Sequence, residues 1–570
     1  MLASTRSRKI YLAIALLSML VLLVATVHGN LFTLYQVQSQ DLPILLALPP
    51  MFAVLAYWSP GWKIPDRAPP KALIFVIGCF IVLLLGWSAH SVMGDFPLSR
   101  DEHMVVFDMA VFDRGRLAAP LSPVWRAYAE ALVPAFLLNA DNPVGLVSAY
   151  LPVNAMLRLA FSKIVDPVFF NPLLALIGGI AVWDIAKRQF KEDHRALWVV
   201  LLIYGLSSQM LITAMTTYSM TAHMALNMVW LAAFLRGGKS GHALAIAVGF
   251  LAAGLHQVVF HPLFAAPFIL WRLRQREWRT VLLYGVAYAA IIGWWVSYPH
   301  IVALYTGVSV DAKDVQADFF SGRVLPLLTN RDPSTVPLML LNLLRFVAWQ
   351  NLALVPLCVA ALPLAWRDKG LAGPLLWGIA GLLFFITVVL PYQGHGWGYR
   401  YLHPFLGSFA LLAGFGYKRL VTQIGSRADG IVLLLSGLTL IFAFPLLLLR
   451  TYDFVEPHVA LERYIARQKA DFIVIDTEVS PSTDGRWAAN AIDHVRNKPD
   501  LDNHPLRFSS RKMSAAMIAY LCRRGDVAII TRADMHENGF AMNLPTRSPT
   551  FERKIAPLSG RFCIGETKAS

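Results

Sequence analysis

Apolar residues in this chain come in long unbroken runs, not in the spaced pattern of a soluble fold. Tyr11–Val27, Ile74–Trp87 and Ile431–Leu449 are filled almost entirely by Leu, Val, Ala, Ile and Phe. A helix needs about 20 such residues to cross a hydrocarbon core of roughly 30 Å, and neutral flanking residues bring these runs to that length. The pattern predicts thirteen spans, at about 10–28, 42–59, 71–89, 168–187, 196–216, 218–235, 241–253, 257–273, 280–298, 347–366, 374–392, 401–417 and 429–449. The first follows Arg6, Arg8 and Lys9, exceeds the usual signal-peptide core and lacks a small-x-small site, so it reads as an uncleaved span. Two long segments interrupt the series, His90 to Pro167 and Pro299 to Arg345. Apolar spacing in Met104–Leu117 and Ala149–Phe161 predicts amphipathic helices at the membrane interface. Beyond Arg450 the material changes: strand-length runs Phe472–Ile475 and Val527–Ile530 enclose a helical Ser514–Leu521, which reads as a small α/β domain. The expected fold is mainly α, a polytopic membrane bundle, with an N-terminal two-span hairpin (1–70), a transmembrane module (71–449) carrying outer loops 90–167 and 299–346, and an extracytoplasmic α/β domain (450–570).

Composition agrees. Of 570 residues, 56% are hydrophobic and 15% charged, against about 25% charged in a soluble domain. The formal charge of +15 would suit nucleic acid, but no basic stripe interleaved with aromatics occurs on a polar segment, so no nucleic-acid partner is expected. The basic residues instead sit in short loops. With the N-terminus inside, 21 lie in the cytoplasmic loops and 11 in the longer opposite ones, the asymmetry that sets orientation. An odd number of spans puts the C-terminal domain outside the cytoplasm, and the expected location is the bacterial inner (plasma) membrane, among its lipids. Cys522 and Cys563 share that outer domain, where a disulfide is chemically permitted.

The sharpest local signal is Ser99-Arg100-Asp101-Glu102-His103, just beyond the third span. Adjacent carboxylates repel, and desolvation raises the cost of charging either, so one is expected to approach the range of a general base. Taken alone, the pair also fits a solvated turn. The segments Phe107-Asp108, Phe112-Asp113-Arg114-Gly115, Ala149-Tyr150-Leu151-Pro152, Asn171-Pro172, Tyr218 to His223 and Gly394-His395-Gly396-Trp397-Gly398-Tyr399-Arg400-Tyr401-Leu402-His403-Pro404 follow on the same expected side.

This order resembles the GT-C superfamily of membrane glycosyltransferases, which includes the protein O-mannosyltransferases and the lipid A aminoarabinose transferases. Asp101-Glu102 matches the family's acid pair in its first outer loop, Ala149–Pro152 its Tyr-Pro segment, and Arg400 to Pro404 its Arg-Tyr-Leu-x-Pro element. The resemblance covers roughly 71–449. It implies transfer of a sugar from a polyprenyl-(di)phosphate carrier to a lipid, glycan or protein acceptor at the outer face, with inversion. It also implies that Asp101 is the base and Glu102 orients it. Arg400, whose guanidinium suits phosphate oxygens, would hold the leaving phosphate with His395 and His403. Trp397, Tyr399, Tyr401 and Tyr150 would line the substrate, or anchor at the interface as aromatics do. Gly394, Gly396 and Gly398 would permit close backbone approach. His223, ahead of His256 and His261, is a further polar candidate near the outer face.

Metal spacing is absent, the second acidic motif of metal-dependent relatives is missing, and Asp311, Asp314 and Asp318 are not diagnostically spaced, so no cofactor is expected to be required. A divalent cation held by Asp101 through water is the residual option. Two other classes compete: a transporter or flippase of a lipid-linked glycan, and an envelope-assembly scaffold. Few acids lie within the spans, with Asp184 near a cytoplasmic end, and no repeat is evident, which weighs against transport. Asp476, at a strand end, reads as a turn former.

Overall fold

The structure is a computed structural model, and it describes residues 5–133, 136–138, 143–308, 325, 329, 333–389, 391, 396–479 and 485–558. Asp311, Asp314, Asp318, Gly394, His395 and Cys563 lie outside the described residues. Among the described residues, six helices are long and apolar enough to cross a membrane: Phe32–Tyr57, Lys71–Ser91, Pro167–Gln189, Trp278–Thr306, Ala372–Val389 and Arg427–Ala466. Thr335–Trp349 and Leu354–Ala365, bent by 108°, would make a seventh if they are one span. The remaining expected spans fall on other helices, among them His194–Gly205, Met220–Arg236, Gly238–Ala253, Phe260–Arg274 and Leu406–Ile424. On Lys71–Ser91 the side chains of Phe75, Val76, Phe80, Leu83 and Trp87 are all exposed. Such a patch is costly in water and costs nothing against lipid tails. The chain is a multi-pass, mainly helical membrane protein.

The chain divides into two compact units. The first comprises Met1–Ser88, Val168–Trp295 and Arg323–Thr451, and the second Ala89–Pro167, Val296–Gly322 and Tyr452–Ser570.

Within the first unit, buried polar side chains join helices remote in sequence. Arg345 and Asp41 are both fully buried, and Arg345 Nε donates to Asp41 Oδ2 at 3.1 Å. The same guanidinium donates to Gln40 Oε1 at 2.9 Å and to Gln36 Oε1, while Trp349 Nε1 donates to Asp41 Oδ1 at 2.6 Å. Gln36, Gln40 and Asp41 lie within or beside a π-helical stretch, Val37–Asp41, of the helix Phe32–Tyr57. A π-bulge shifts the helical phase and crowds side chains that an α-helix would separate, which lets three acceptors meet one arginine. Asp429 is likewise buried and accepts from the Tyr417 hydroxyl at 2.5 Å and from Ile64 N–H at 3.2 Å. Both acids sit at the edges of apolar runs, where the sequence reading weighed few acids within the spans.

The second unit is built on a three-stranded parallel sheet in which Phe472–Ile475 lies between Leu506–Ser509 and Val527–Ile530. Side chains alternate across a strand. Phe472, Val474, Phe508, Val527 and Ile529 turn to one core, while Ile473, Ile475 and Ile530 turn to another lined by Leu461, Ile465, Met535 and Phe540. A parallel sheet needs both faces covered. Here the first face is covered by Ile518 and Leu521 of the tail together with Met104, Phe107, Val111, Leu121, Tyr128 and Leu132 of the 90–167 segment. The tail, expected as a domain of its own, therefore shares its core with the first long loop. Cys522 is disulfide-bonded. Asp476 is more than a turn former: it accepts from Glu478 N–H at 3.1 Å and forms a buried pair with Arg532 at 3.2 Å.

Candidate active site

The acid pair lies inside a helix, not ahead of one. The expected helix Met104–Leu117 begins earlier and runs Arg100–Asp113, because Ser99 caps it. Ser99 Oγ accepts from Glu102 N–H at 3.2 Å, and Ser99 N–H donates to Glu102 Oε2 at 3.2 Å. This reciprocal capping box satisfies two backbone donors that the first turn would leave open. It commits the buried Glu102 side chain to holding the helix start. Asp101 stays partly exposed on the same turn, where the helix dipole favours a negative charge. The Tyr150 hydroxyl donates to Asp101 Oδ1. That hydrogen bond favours the carboxylate, so the close pair of acids is resolved by giving each its own donors. The second expected helix also shifts, to Val153–Ser162, since Pro152 precedes it and leaves Tyr150 in the turn before.

Charged residues of the second unit surround this turn. Arg100 Nε lies 3.8 Å from Asp493 Oδ1, and the Arg100 guanidinium sits 5.6 Å from the Phe136 ring centre. Arg496 packs its guanidinium 3.8 Å from the Phe96 ring centre, donates to the Pro97 carbonyl, and donates to the Asp493 carbonyl at 2.5 Å. Burial draws Arg496 down to about 10, with Glu462, Asp493 and Glu102 opposing that fall. Arg158 Nη1 donates to the Pro167 carbonyl at 2.8 Å; burial draws it to about 10, and Glu102 is the opposing charge. Burial pushes Asp493 up to about 6, against the pull of Arg100 and Arg496. His103 is buried and held neutral, its value pushed down to about 3 by burial and then by Arg496. One turn on, burial lifts the Asp108 carboxyl to about 8, with a hydrogen bond to Ser148 acting against it. Asp493 and Arg496 were invisible in the sequence, since nothing in Asp493-His494-Val495-Arg496 marks it as a partner of residue 100.

In the first unit the late motif forms a 3-10 helix, Arg400–Phe405, packed on Met220–Arg236, whose Asn227 Nδ2 donates to the Pro404 carbonyl at 3.1 Å. The Arg400 guanidinium lies 5.8 Å from the Tyr218 ring centre and 5.3 Å from that of Tyr401. Tyr401 stacks on Phe260 at 6.0 Å, and Phe260 meets His223 edge-on at 6.1 Å. His223 and His403 are buried, and among the described residues neither ring has a hydrogen-bond partner at either nitrogen. His261 is engaged: Nδ1 bonds Asn227 Oδ1 at 2.8 Å and Nε2 bonds the Tyr288 hydroxyl at 2.7 Å. Asn227, one turn after His223 on the same helix face, was missed, although its i, i+4 spacing from that histidine was readable. Trp397 and Tyr399 are buried; Trp397 packs against Trp349 at 6.1 Å, and the Tyr399 carbonyl accepts from Gln209 Nε2 at 2.9 Å. Neither ring presents an open face to a sugar. Gly398 has φ +68°, and a Cβ there would lie 2.7 Å from Gln209 Oε1. Its smallness serves this internal packing.

Asp101, Glu102 and Tyr150 thus come together in the second unit, and Arg400, Tyr401, His403 and His223 in the first. Among the described residues, no group of three or more His, Cys, Asp or Glu is placed to hold a metal ion.

No family model and no curated protein matches the chain. Among solved structures it is similar to a crystal structure of ArnT from Cupriavidus metallidurans in the apo state, with 12% identity, a TM-score of 0.49, and coverage of 85% of this chain and 94% of that one. A crystal structure of the same protein bound to undecaprenyl phosphate is similar at 12% identity and a TM-score of 0.46, over 86% and 95% of the two chains. Likeness at this level does not bear on what this chain does.

Proposed function

We propose that the chain is a glycosyltransferase that moves a sugar from a polyprenyl-(di)phosphate carrier to an acceptor at the outer membrane face. The observation that carries the reading is the Tyr150–Asp101 hydrogen bond on a helix turn already fixed by Ser99 and Glu102. It leaves one carboxylate oriented by a hydroxyl donor on a capped helix turn. In the reaction, Asp101 takes the proton of an acceptor hydroxyl or amine. The freed electron pair forms a bond to the anomeric carbon, and the bond from that carbon to the phosphate oxygen breaks. The carrier phosphate leaves with the electron pair, and the configuration inverts. Arg400 is the cation assigned to the departing phosphate, with the Tyr218 and Tyr401 rings against its guanidinium. The N-terminus is assigned to the cytoplasm and the 450–570 segment to the outer side, from the basic-residue asymmetry.

A second reading, transport of the lipid-linked glycan, draws on the buried polar residues of the first unit: Asp41, Asp429, His223, His261 and His403. Polar groups inside spans are costly and commonly functional. Asp101→Asn separates the two. Envelope glycolipids and glycans are profiled by mass spectrometry in cells that lack the gene and carry the wild-type or variant copy. The transferase reading expects the variant to insert normally and to lose the transferred sugar as the null strain does. Full restoration by the variant sinks it in favour of transport.

A further inference from the structure

The tail delivers a third acid to the site. Asp493 lies in a 3-10 helix, Ala491–His494, started by Asn490, whose side chain accepts from Ile492 N–H at 2.9 Å. The segment is pinned on both sides. His494 stacks on Phe96 at 5.1 Å and on His458 at 5.6 Å, and its Nδ1 faces Glu462 at 3.1 Å. Arg496 clasps Phe96 and the Pro97 carbonyl. Phe96 and Pro97 lead directly into Ser99, so the clamp that holds Asp493 also holds the start of the helix carrying Asp101.

The charges facing Asp493 are Arg100 and Asp101 from that helix and Arg496 from its own segment. Arg496 in turn faces Glu102, Glu462 from the helix Phe444–Ala466, and Arg507 from the strand Leu506–Ser509. Asp493 Oδ1 is sealed from solvent, though 23% of the side chain remains exposed.

We propose that Asp493 is a positioning residue for Asp101: by pairing with Arg100 and by its own negative charge it keeps Asp101 a strong proton acceptor. Both effects have one sign. An arginine directly preceding Asp101 with its charge uncompensated would stabilise the Asp101 anion and weaken it as a base. Asp493 draws that charge to itself, and its anion repels the Asp101 anion in a partly desolvated place. Burial is the main cause of the raised Asp493 value, and the Asp101 charge adds a smaller push in the same direction. This inference deepens the transferase reading and rests on it for its meaning in the reaction, but its test needs neither donor nor acceptor.

The test uses the full-length protein in lipid nanodiscs and dicyclohexylcarbodiimide, which reacts with protonated carboxyl groups. Peptide mass spectrometry follows the labelling of Asp101 from pH 4 to 8. Asp493→Asn should move the Asp101 profile to lower pH by about 1 unit. Arg100→Gln, at a side chain 44% exposed, should move it to higher pH. A purely structural role for Asp493 would not give opposite shifts. An Asp101 profile that stays in place, or that moves the same way in both variants, overturns the proposal. The proposal can hold while Asp101→Asn retains sugar transfer, in which case only the reaction assignment falls.

Discussion

Replacing Arg345 by Met tests whether buried polarity, and not lipid exposure alone, joins the helices of the first unit. The guanidinium makes hydrogen bonds to Asp41, Gln40 and Gln36 with no solvent access. Met has similar length and no charge, so the substitution fills the space and leaves the Asp41 carboxylate with only Trp349 as its donor among these partners. Stranding one partner of a buried ion pair costs about 3–5 kcal/mol. For a chain of this size that corresponds to a fall in unfolding temperature of about 2–4 °C. Cys358, a free thiol on the helix that follows Trp349, supplies the reporter: a thiol-reactive fluorogenic dye gains signal as heating exposes it. Because such unfolding is commonly irreversible, all variants must be scanned at one rate. Adding Asp41→Asn to Arg345→Met should recover part of the loss, since the buried uncompensated charge is then gone. A single variant that melts with the wild type, or a double variant less stable than both singles combined, refutes the reasoning.

Other outcomes follow from the second unit. Tyr150→Phe removes the donor to Asp101 and should lower sugar transfer about 10- to 100-fold, the worth of a charge-assisted hydrogen bond, while the expressed amount of protein stays constant. Ser99→Ala should destabilise the Arg100–Asp113 helix by about 1 kcal/mol, visible as faster amide hydrogen exchange in residues 100–104. Asp108 has its folded value raised to about 8 by burial, so its contribution to stability is fully present below about pH 4 and is lost as pH rises through about 8. Asp108→Asn should therefore flatten the pH dependence of unfolding between those limits; a slope that persists unchanged would show that Asp108 does not cause it.

Membrane character was readable because long apolar runs have few other uses. The strands Phe472–Ile475 and Val527–Ile530 were readable for a related reason, as apolar runs of strand length between polar segments. Leu506–Ser509 was not, because Arg507 interrupts it; that side chain is satisfied by Glu462 at 2.6 Å, a contact no local pattern announces. The start of the Arg100 helix was available in Ser99-x-x-Glu102, a capping-box spacing, but the apolar periodicity drew the boundary to Met104. Asp101 itself stands out in the sequence by its neighbour and its motif. Its partners in the tail do not, since an ion pair between segments so distant leaves no spacing to read. Asp41 and Arg345 escaped for another reason: each stands at the edge of an apolar run, where a charged residue ordinarily marks a loop.

The shared core of the first long loop and the tail has a consequence for biogenesis. Met104, Phe107 and Val111 find their hydrophobic complement in Phe472, Phe508 and Val527, residues that leave the ribosome long after the 90–167 segment. Contacts this distant in sequence form late. The Asp101 turn therefore reaches its folded geometry only after synthesis has passed the last strand, so a nascent or truncated polypeptide, however well inserted, carries the motif without the packing that holds it.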